Sequence, residues 1–204
     1  MSTARRTLRG VVIGGSAGGL EALNALLPML PAAFRAPVIV VMHQRPMHPS
    51  LLPELLAPRC ALPVLEAEDK LAIRPGHLYL APPDYHLLVE QEEGEGRREG
   101  AWGDVRLALS VEPPVRYSRP SIDVLFESAA IAWREQVLGI LLSGANDDGA
   151  RGLAAIRAAG GLAWVQTPES AVVETMPQEA IARGAADHVL TLEAIGHALA
   201  GFTE

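Results

Sequence analysis

The amino-acid sequence predicts an α/β fold: a doubly wound, mostly parallel sheet with helices on both faces and one antiparallel hairpin. Three observations carry that expectation. Val11-Val12-Ile13, Val38–Met42 and residues 137–142 are apolar runs with no polar residue at alternate positions. A strand of that kind is buried on both faces, as in a parallel sheet covered by helices. The first two runs are separated by apolar residues at helical spacing, Leu20, Leu23, Leu26 and Leu27, and parallel neighbours need such a crossover. Finally, residues 86–90 and 105–111 read as strands joined by a charged, Gly-rich loop, 91–104, which is expected to be solvated and mobile.

The elements follow in order. The first strand, 11–13, ends in Gly14-Gly15-Ser16-Ala17-Gly18-Gly19, and the helix after it stops near Pro28 and Pro31. The second strand runs into His43. Pro49, Ser50 and Leu51 open a short helix through Leu56, and a strand lies near Val64-Leu65. Another strand covers 77–81, ahead of the hairpin. Pro120-Ser121-Ile122-Asp123 reads as a helix start, with Val124, Leu125, Ala129 and Trp133 as apolar residues behind it. The run 137–142 breaks at Ser143-Gly144-Ala145-Asn146-Asp147-Asp148-Gly149, and a helix continues to about Ala159. A strand over 162–165, a short helix after Met176-Pro177, a strand around 188–190 and a C-terminal helix complete the chain. No linker-like stretch interrupts it, so one domain is expected over residues 1–204.

Composition narrows the function classes. A net charge of −7 disfavours non-specific nucleic-acid binding. The single Cys60 has no internal disulfide partner, which suits a reducing cytoplasm. No apolar run approaches the length of a membrane span, and Arg5, Arg6 and Arg9 lead straight into the first strand without a signal peptide's apolar core. A cytoplasmic protein without membrane insertion is expected. No cofactor or metal motif is found.

The glycine-rich turn at 14–19 admits three readings. Ser16 could cap the following helix. The glycines could cradle a dinucleotide, but Ser16 stands at the second glycine position of that fingerprint, and His43 stands where its acidic residue belongs. The third reading is a nucleophile: Gly14-Gly15-Ser16-Ala17-Gly18 has the Gly-x-Ser-x-Gly spelling of a strand-to-helix elbow. A serine nucleophile needs a base, and an imidazole base needs a carboxylate to hold its tautomer. Ser16, His43 and Asp148 each lie just past the carboxyl end of a strand, where function gathers in a parallel sheet. Their chain order, Ser…His…Asp, differs from that of the α/β-hydrolases. Alternatives stand beside each member: His43 as a satisfied strand-end histidine, Asp148 as a cap of its own helix, and Asp147 as an adjacent competitor. His48, His77, His188 and His197 read as surface or strand-end residues. His86, after the turn Ala81-Pro82-Pro83-Asp84-Tyr85, is intermediate.

These residues belong to a longer series of motifs: 13–19 around Ser16, 40–43, 80–87, 119–126, Ser143-Gly144 with Asp148-Gly149-Ala150, and Met176-Pro177 with Ala180-Ile181. In this series the chain resembles the catalytic domain of the chemotaxis protein-glutamate methylesterases, over nearly its whole length. The resemblance implies a doubly wound fold with Ser16 as nucleophile, His43 as base and Asp148, which directly precedes Gly149-Ala150, as orienter. It implies hydrolysis of glutamate γ-methyl esters on the cytoplasmic helices of chemoreceptors, sometimes with glutamine deamidation, and no cofactor or metal. Two positions depart from the family pattern: Ala145 where methionine is usual, and Ser118 where histidine is common.

Ala17, Gly18, Arg45, His86 and Ala145 are the candidate substrate-binding residues, with the amides of Ala17 and of a residue near Ala145 expected to hold the oxyanion. Arg45, Arg116, Arg119 and Arg151 fall on or beside the motif loops and are expected to attract an acidic receptor helix. The family usually carries a receiver domain, for which the ten or so residues ahead of the first strand leave no room. An open site, or a receiver protein acting in trans, is therefore expected. A non-catalytic interaction domain on the same fold is the rival reading.

Overall fold

The computed structural model describes residues 7–44, 48–91 and 105–202. Seven parallel strands form its centre: β1 (Gly10–Gly15), β2 (Val38–Met42), β3 (Val64–Glu66), β4 (Leu78–Leu80), β7 (Val137–Leu141), β8 (Leu162–Gln166) and β9 (His188–Leu190). They lie in the order β3-β4-β2-β1-β7-β8-β9. β5 (His86–Gln91) and β6 (Val105–Ser110) pair antiparallel. They make a separate two-stranded sheet rather than an edge of the main one. The expected hairpin loop, 91–104, lies outside the described residues beyond Gln91.

The apolar runs are explained by burial on both faces. Val11 and Ile13 point into one core with Leu23, Leu26, Phe34 and Leu199, whereas Val12 and Val41 point into the other with Phe126, Trp133, Leu153 and Ile156. Helices α1 (Gly19–Leu26), α2 (Leu52–Leu56) and α6 (Leu192–Ala200) supply side chains to the first core, and α3 (Ile122–Trp133), α4 (Ala150–Ala158) and α5 (Thr175–Ala182) to the second. α5 begins at Thr175 and so encloses Met176-Pro177 in its first turn, where proline's missing N–H costs nothing. Among the described residues no helix is long and apolar enough to cross a membrane.

The strand order fixes where a site can form. From β1 the chain crosses α1 to β2 on one side, and returns much later as β7 on the other. β1 is thus the reversal point of a doubly wound sheet, and its carboxyl end opens the crevice between two diverging connections. The register places Gly15 beside Met42 and Gly14 beside Leu141. The loops that carry Ser16, His43 and Asp148 therefore leave the sheet side by side.

Candidate active site

The turn after β1 is held from three directions. Ser16 N donates to the Ser143 carbonyl at 2.9 Å, Gly19 N to the Ser16 carbonyl at 2.8 Å, and His43 N to the Gly15 carbonyl at 3.2 Å. The N-cap of α1 is Gly18, with φ 79° and no side-chain cap. A β-carbon there would be strained by the backbone and would meet Val172 Cβ at 2.5 Å. Ser16 is therefore not the cap of its helix, and its hydroxyl is left for another partner.

That partner is His43. Its Nδ1 lies 3.2 Å from Ser16 Oγ, and its Nε2 lies 2.8 Å from Asp148 Oδ2. A carboxylate only accepts, so the neutral ring carries its proton on Nε2 and leaves Nδ1 as the free base facing the serine. His43 is 13% exposed and Asp148 is wholly buried.

Asp148 does not cap its own helix either. The N-cap of α4 is Gly149, with φ 93° and no side-chain cap. Asp148 instead caps α3: Oδ2 accepts from Ile122 N at 2.8 Å, and Oδ1 from Asp123 N at 3.0 Å and from Ser121 Oγ at 2.9 Å. The exchange is reciprocal, because Asp123 Oδ1 accepts from Gly149 N at 2.9 Å and Gly152 N at 2.8 Å at the start of α4. Each helix start thus receives its anionic cap from the other. Asp147, one residue away, turns outward and pairs with Arg116 and Arg183.

The two buried carboxylates are pushed in opposite directions. Burial raises the Asp148 pKa, but its bonds from His43 and the Asp123 and Ile122 amides, with the His43 charge, outweigh burial and hold it below the usual range. Asp123 is raised, first by burial and then by the Asp148 and Glu127 charges, against the Gly152 amide and Arg151. Its Oδ2 has no hydrogen bond among the described residues; Arg116 Nε and Arg151 Nε stand 3.6 and 3.7 Å away.

The predicted substrate-binding residues divide. Ala17 and Ala145 are exposed at the site, and the amide of neither has an acceptor among the described residues. Gly18 serves as the left-handed hinge of the turn. Arg45 lies outside the described residues. His86 is a correction: it is 1% exposed, its Nε2 donates to the Pro113 carbonyl at 3.1 Å, and its Nδ1 accepts from Ser121 N at 3.2 Å. With both nitrogens engaged it supports the residue that bonds Asp148, and it offers no surface to a substrate. The described arginines of the expected rim already have partners. Arg116 pairs with Asp147, Arg151 with Glu127, and Arg119 with Asp84 and the carbonyls of Val111 and Glu112.

Sequence reasoning missed several supports. Asp123 and Ser121 read as a local helix start, and nothing local signals that their partners sit 25 or more residues away on another loop. Buried Ser143 donates to the Ala17 carbonyl at 2.7 Å and accepts from Val173 N at 2.9 Å, tying the elbow to the loop before α5. Gln166 Oε1 accepts from Ser143 N at 3.0 Å. Ser118 Oγ lies 3.4 Å from His43 Nδ1, on the same nitrogen as Ser16.

Comparison with known proteins finds relatives along most of the chain. The family model described as CheB methylesterase matches residues 11–199. A Leptospira interrogans protein, provisionally named protein-glutamate methylesterase/protein-glutamine glutaminase, is 41% identical over 91% of this chain and 90% of its own. The enzyme of that name from Trichodesmium erythraeum is 38% identical over 89% of this chain, which spans about half, 49%, of that relative. The crystal structure of the Thermotoga maritima CheB methylesterase catalytic domain superposes with a TM-score of 0.86 at 31% identity, covering 96% of this chain and 98% of that one.

Proposed function

This chain belongs to the CheB methylesterase family, and we propose that it is a serine esterase that hydrolyses glutamate γ-methyl esters on chemoreceptor cytoplasmic helices. The observation that carries this reading is the His43 ring, which spans from Ser16 Oγ to Asp148 with one nitrogen on each.

In the reaction Ser16 Oγ attacks the ester carbonyl while His43 Nδ1 takes its proton. The ring then carries a positive charge, which Asp148 stabilises from Nε2. The amides of Ala17 and Ala145, which lack acceptors among the described residues, are assigned to the oxyanion. Nδ1 returns the proton to the methoxy oxygen and methanol leaves. Water gives a proton to Nδ1 and adds to the acyl-serine; the bond to Ser16 Oγ breaks, Nδ1 returns the proton to that oxygen, and the released glutamic acid loses its own proton to solvent. The same steps on a glutamine side chain release ammonia, the second activity in the names of the relatives.

The test is twofold. A fluorophosphonate probe should label Ser16, and the protein should release methanol from a methylated receptor fragment. A protein that neither takes the label nor releases methanol would instead be an interaction module on this fold. The cleft beside His43, about 110 Å³, is bordered by Gln44, Asp84, Tyr117, Ser118 and Arg119. Running the assay with acetyl phosphate, and with a separate phosphorylated receiver protein, checks whether control acts in trans.

A further inference from the structure

Residues 115–118 make a two-residue turn beside the catalytic base. Val115 N donates to the Ser118 carbonyl at 3.1 Å, and Ser118 N returns a bond to the Val115 carbonyl at 2.9 Å. The tip residues, Arg116 and Tyr117, have φ 48° and 64°. Glycine and asparagine take that backbone readily, whereas a larger side chain resists it, and such strain persists only where surrounding bonds enforce it. Here the anchor is Arg116, whose guanidinium pairs with Asp147 and lies 3.6 Å from buried Asp123.

The anchored turn displays an aromatic ring. Tyr117 is fully exposed, at 103% of its reference surface, yet it borders the cleft that holds His43. Its neighbour Ser118 places Oγ 3.4 Å from His43 Nδ1, the nitrogen that also faces Ser16. A carbonyl bonded by Ser16 must sit beside that nitrogen, one residue from the tip. A small ester ends there, but a polypeptide carrying the ester on a side chain continues past it.

We infer that Tyr117 is a specificity-determining contact for the protein substrate, packing on the receptor helix next to the scissile ester without entering the chemistry. This rests on the esterase reading above. Tyrosine suits such a role because it offers a large amphipathic area with few rotors to immobilise. Tyr85 and Val111, 41% and 70% exposed, extend the surface on loops that Arg119 ties together through Asp84 and the Val111 carbonyl. With Arg116 and Arg119 already paired, Tyr117, Tyr85 and Val111 supply the apolar part of the surface left to the substrate. The matching partner is a helix that presents an apolar stripe beside its esterified glutamate.

The experiment compares Tyr117→Ala, Tyr117→Gly and Tyr117→Phe with wild type on a methylated receptor fragment and on p-nitrophenyl acetate. The Ala and Gly variants should raise KM for the receptor about tenfold, the loss of an interface side chain just short of a hot spot, with kcat within about twofold. Turnover of the small ester should stay within about twofold, and Phe should behave as wild type. Glycine fits the φ of the tip, so Tyr117→Gly should melt no lower than wild type while losing receptor affinity. An unchanged receptor KM in Tyr117→Gly would overturn the assignment. Wild type inert toward both esters would defeat the esterase reading instead.

Discussion

The two sides of the His43 ring are built by opposite means. Beneath it, Asp148 is wholly buried and accepts from Ser121, Ile122, Asp123 and His43, so neither oxygen is free to shift. Above it, the rim consists of a strained turn and partly exposed ion pairs, Arg116 to Asp147 and Arg119 to Asp84. Burial without compensating bonds would neutralise a carboxylate, so the platform needs backbone amides from two helix starts. The rim needs nothing of the kind, because water screens its charges. Orientation of the base is therefore costly to disturb, whereas the surface that meets substrate is cheap to alter.

The sharpest way to break that comparison is at the triad itself. Ser16→Ala and His43→Ala should each lower kcat by about 10⁵-fold or more, and Asp148→Asn by roughly 10⁴-fold, in a methanol-release assay. Asp147→Asn, one residue away but on the outer side, should stay within about threefold. Comparable losses at 147 and 148 would mean that the two carboxylates are not divided as described.

Next in size is the reciprocal cap. Asp123→Ala strands the Gly149 and Gly152 amides, and buried donors left unpaired cost about 1–3 kcal/mol each. A loss of roughly 2–4 kcal/mol in urea unfolding is expected, with a fall in kcat at unchanged KM as Asp148 loses its footing. Asp123→Asn keeps an acceptor oxygen and should restore most of both. An Ala variant that loses stability yet keeps full kcat would show that the cap supports the fold but not the base.

The pH dependence of stability sharpens the contrast within the platform. Asp148 is held below its ordinary value, so its ionised form stabilises the native state. That contribution is complete above the ordinary carboxylate pKa of about 4 and is lost as pH falls through the native value. Asp123 is held above its ordinary value, so the native state binds its proton more readily than the unfolded chain does. Its share of stability is present below about pH 4 and declines as pH rises through its native pKa. Urea titrations at stepped pH should find the acid loss reduced in Asp148→Asn and the opposing slope at higher pH removed in Asp123→Asn. Unchanged slopes in both variants would contradict these assignments.

The smallest effect expected is that of salt on the rim. With Arg116, Arg119 and Arg151 already paired, raising salt from about 50 to 500 mM should change KM for a receptor fragment by less than about threefold. A steep rise in KM would return an electrostatic role to the rim, with Arg45 as the remaining candidate.

The sequence by itself determined the parallel sheet, the elbow at Ser16 and the strand end at His43. Each of these rests on interactions within a few residues: an unalternating run means two covered faces, and a glycine-rich turn means a sharp reversal with a free hydroxyl. Residue chemistry left Asp147 and Asp148 open, the family resemblance pointed to Asp148, and tertiary structure supplies the physical reason that it meets the base. Asp148 lies 105 residues from His43, and two adjacent side chains in a turn differ only in what their directions happen to face. His86 shows the same limit: a histidine beside a motif loop reads as available until packing engages both its nitrogens. Asp123 reads as an ordinary helix start because a cap is sought on its own helix, whereas here each cap comes from the neighbouring one. Periodicity and turn chemistry act locally and leave a local record, but the partners of a buried charge are chosen by how α3 and α4 pack, and no single stretch of sequence holds that choice.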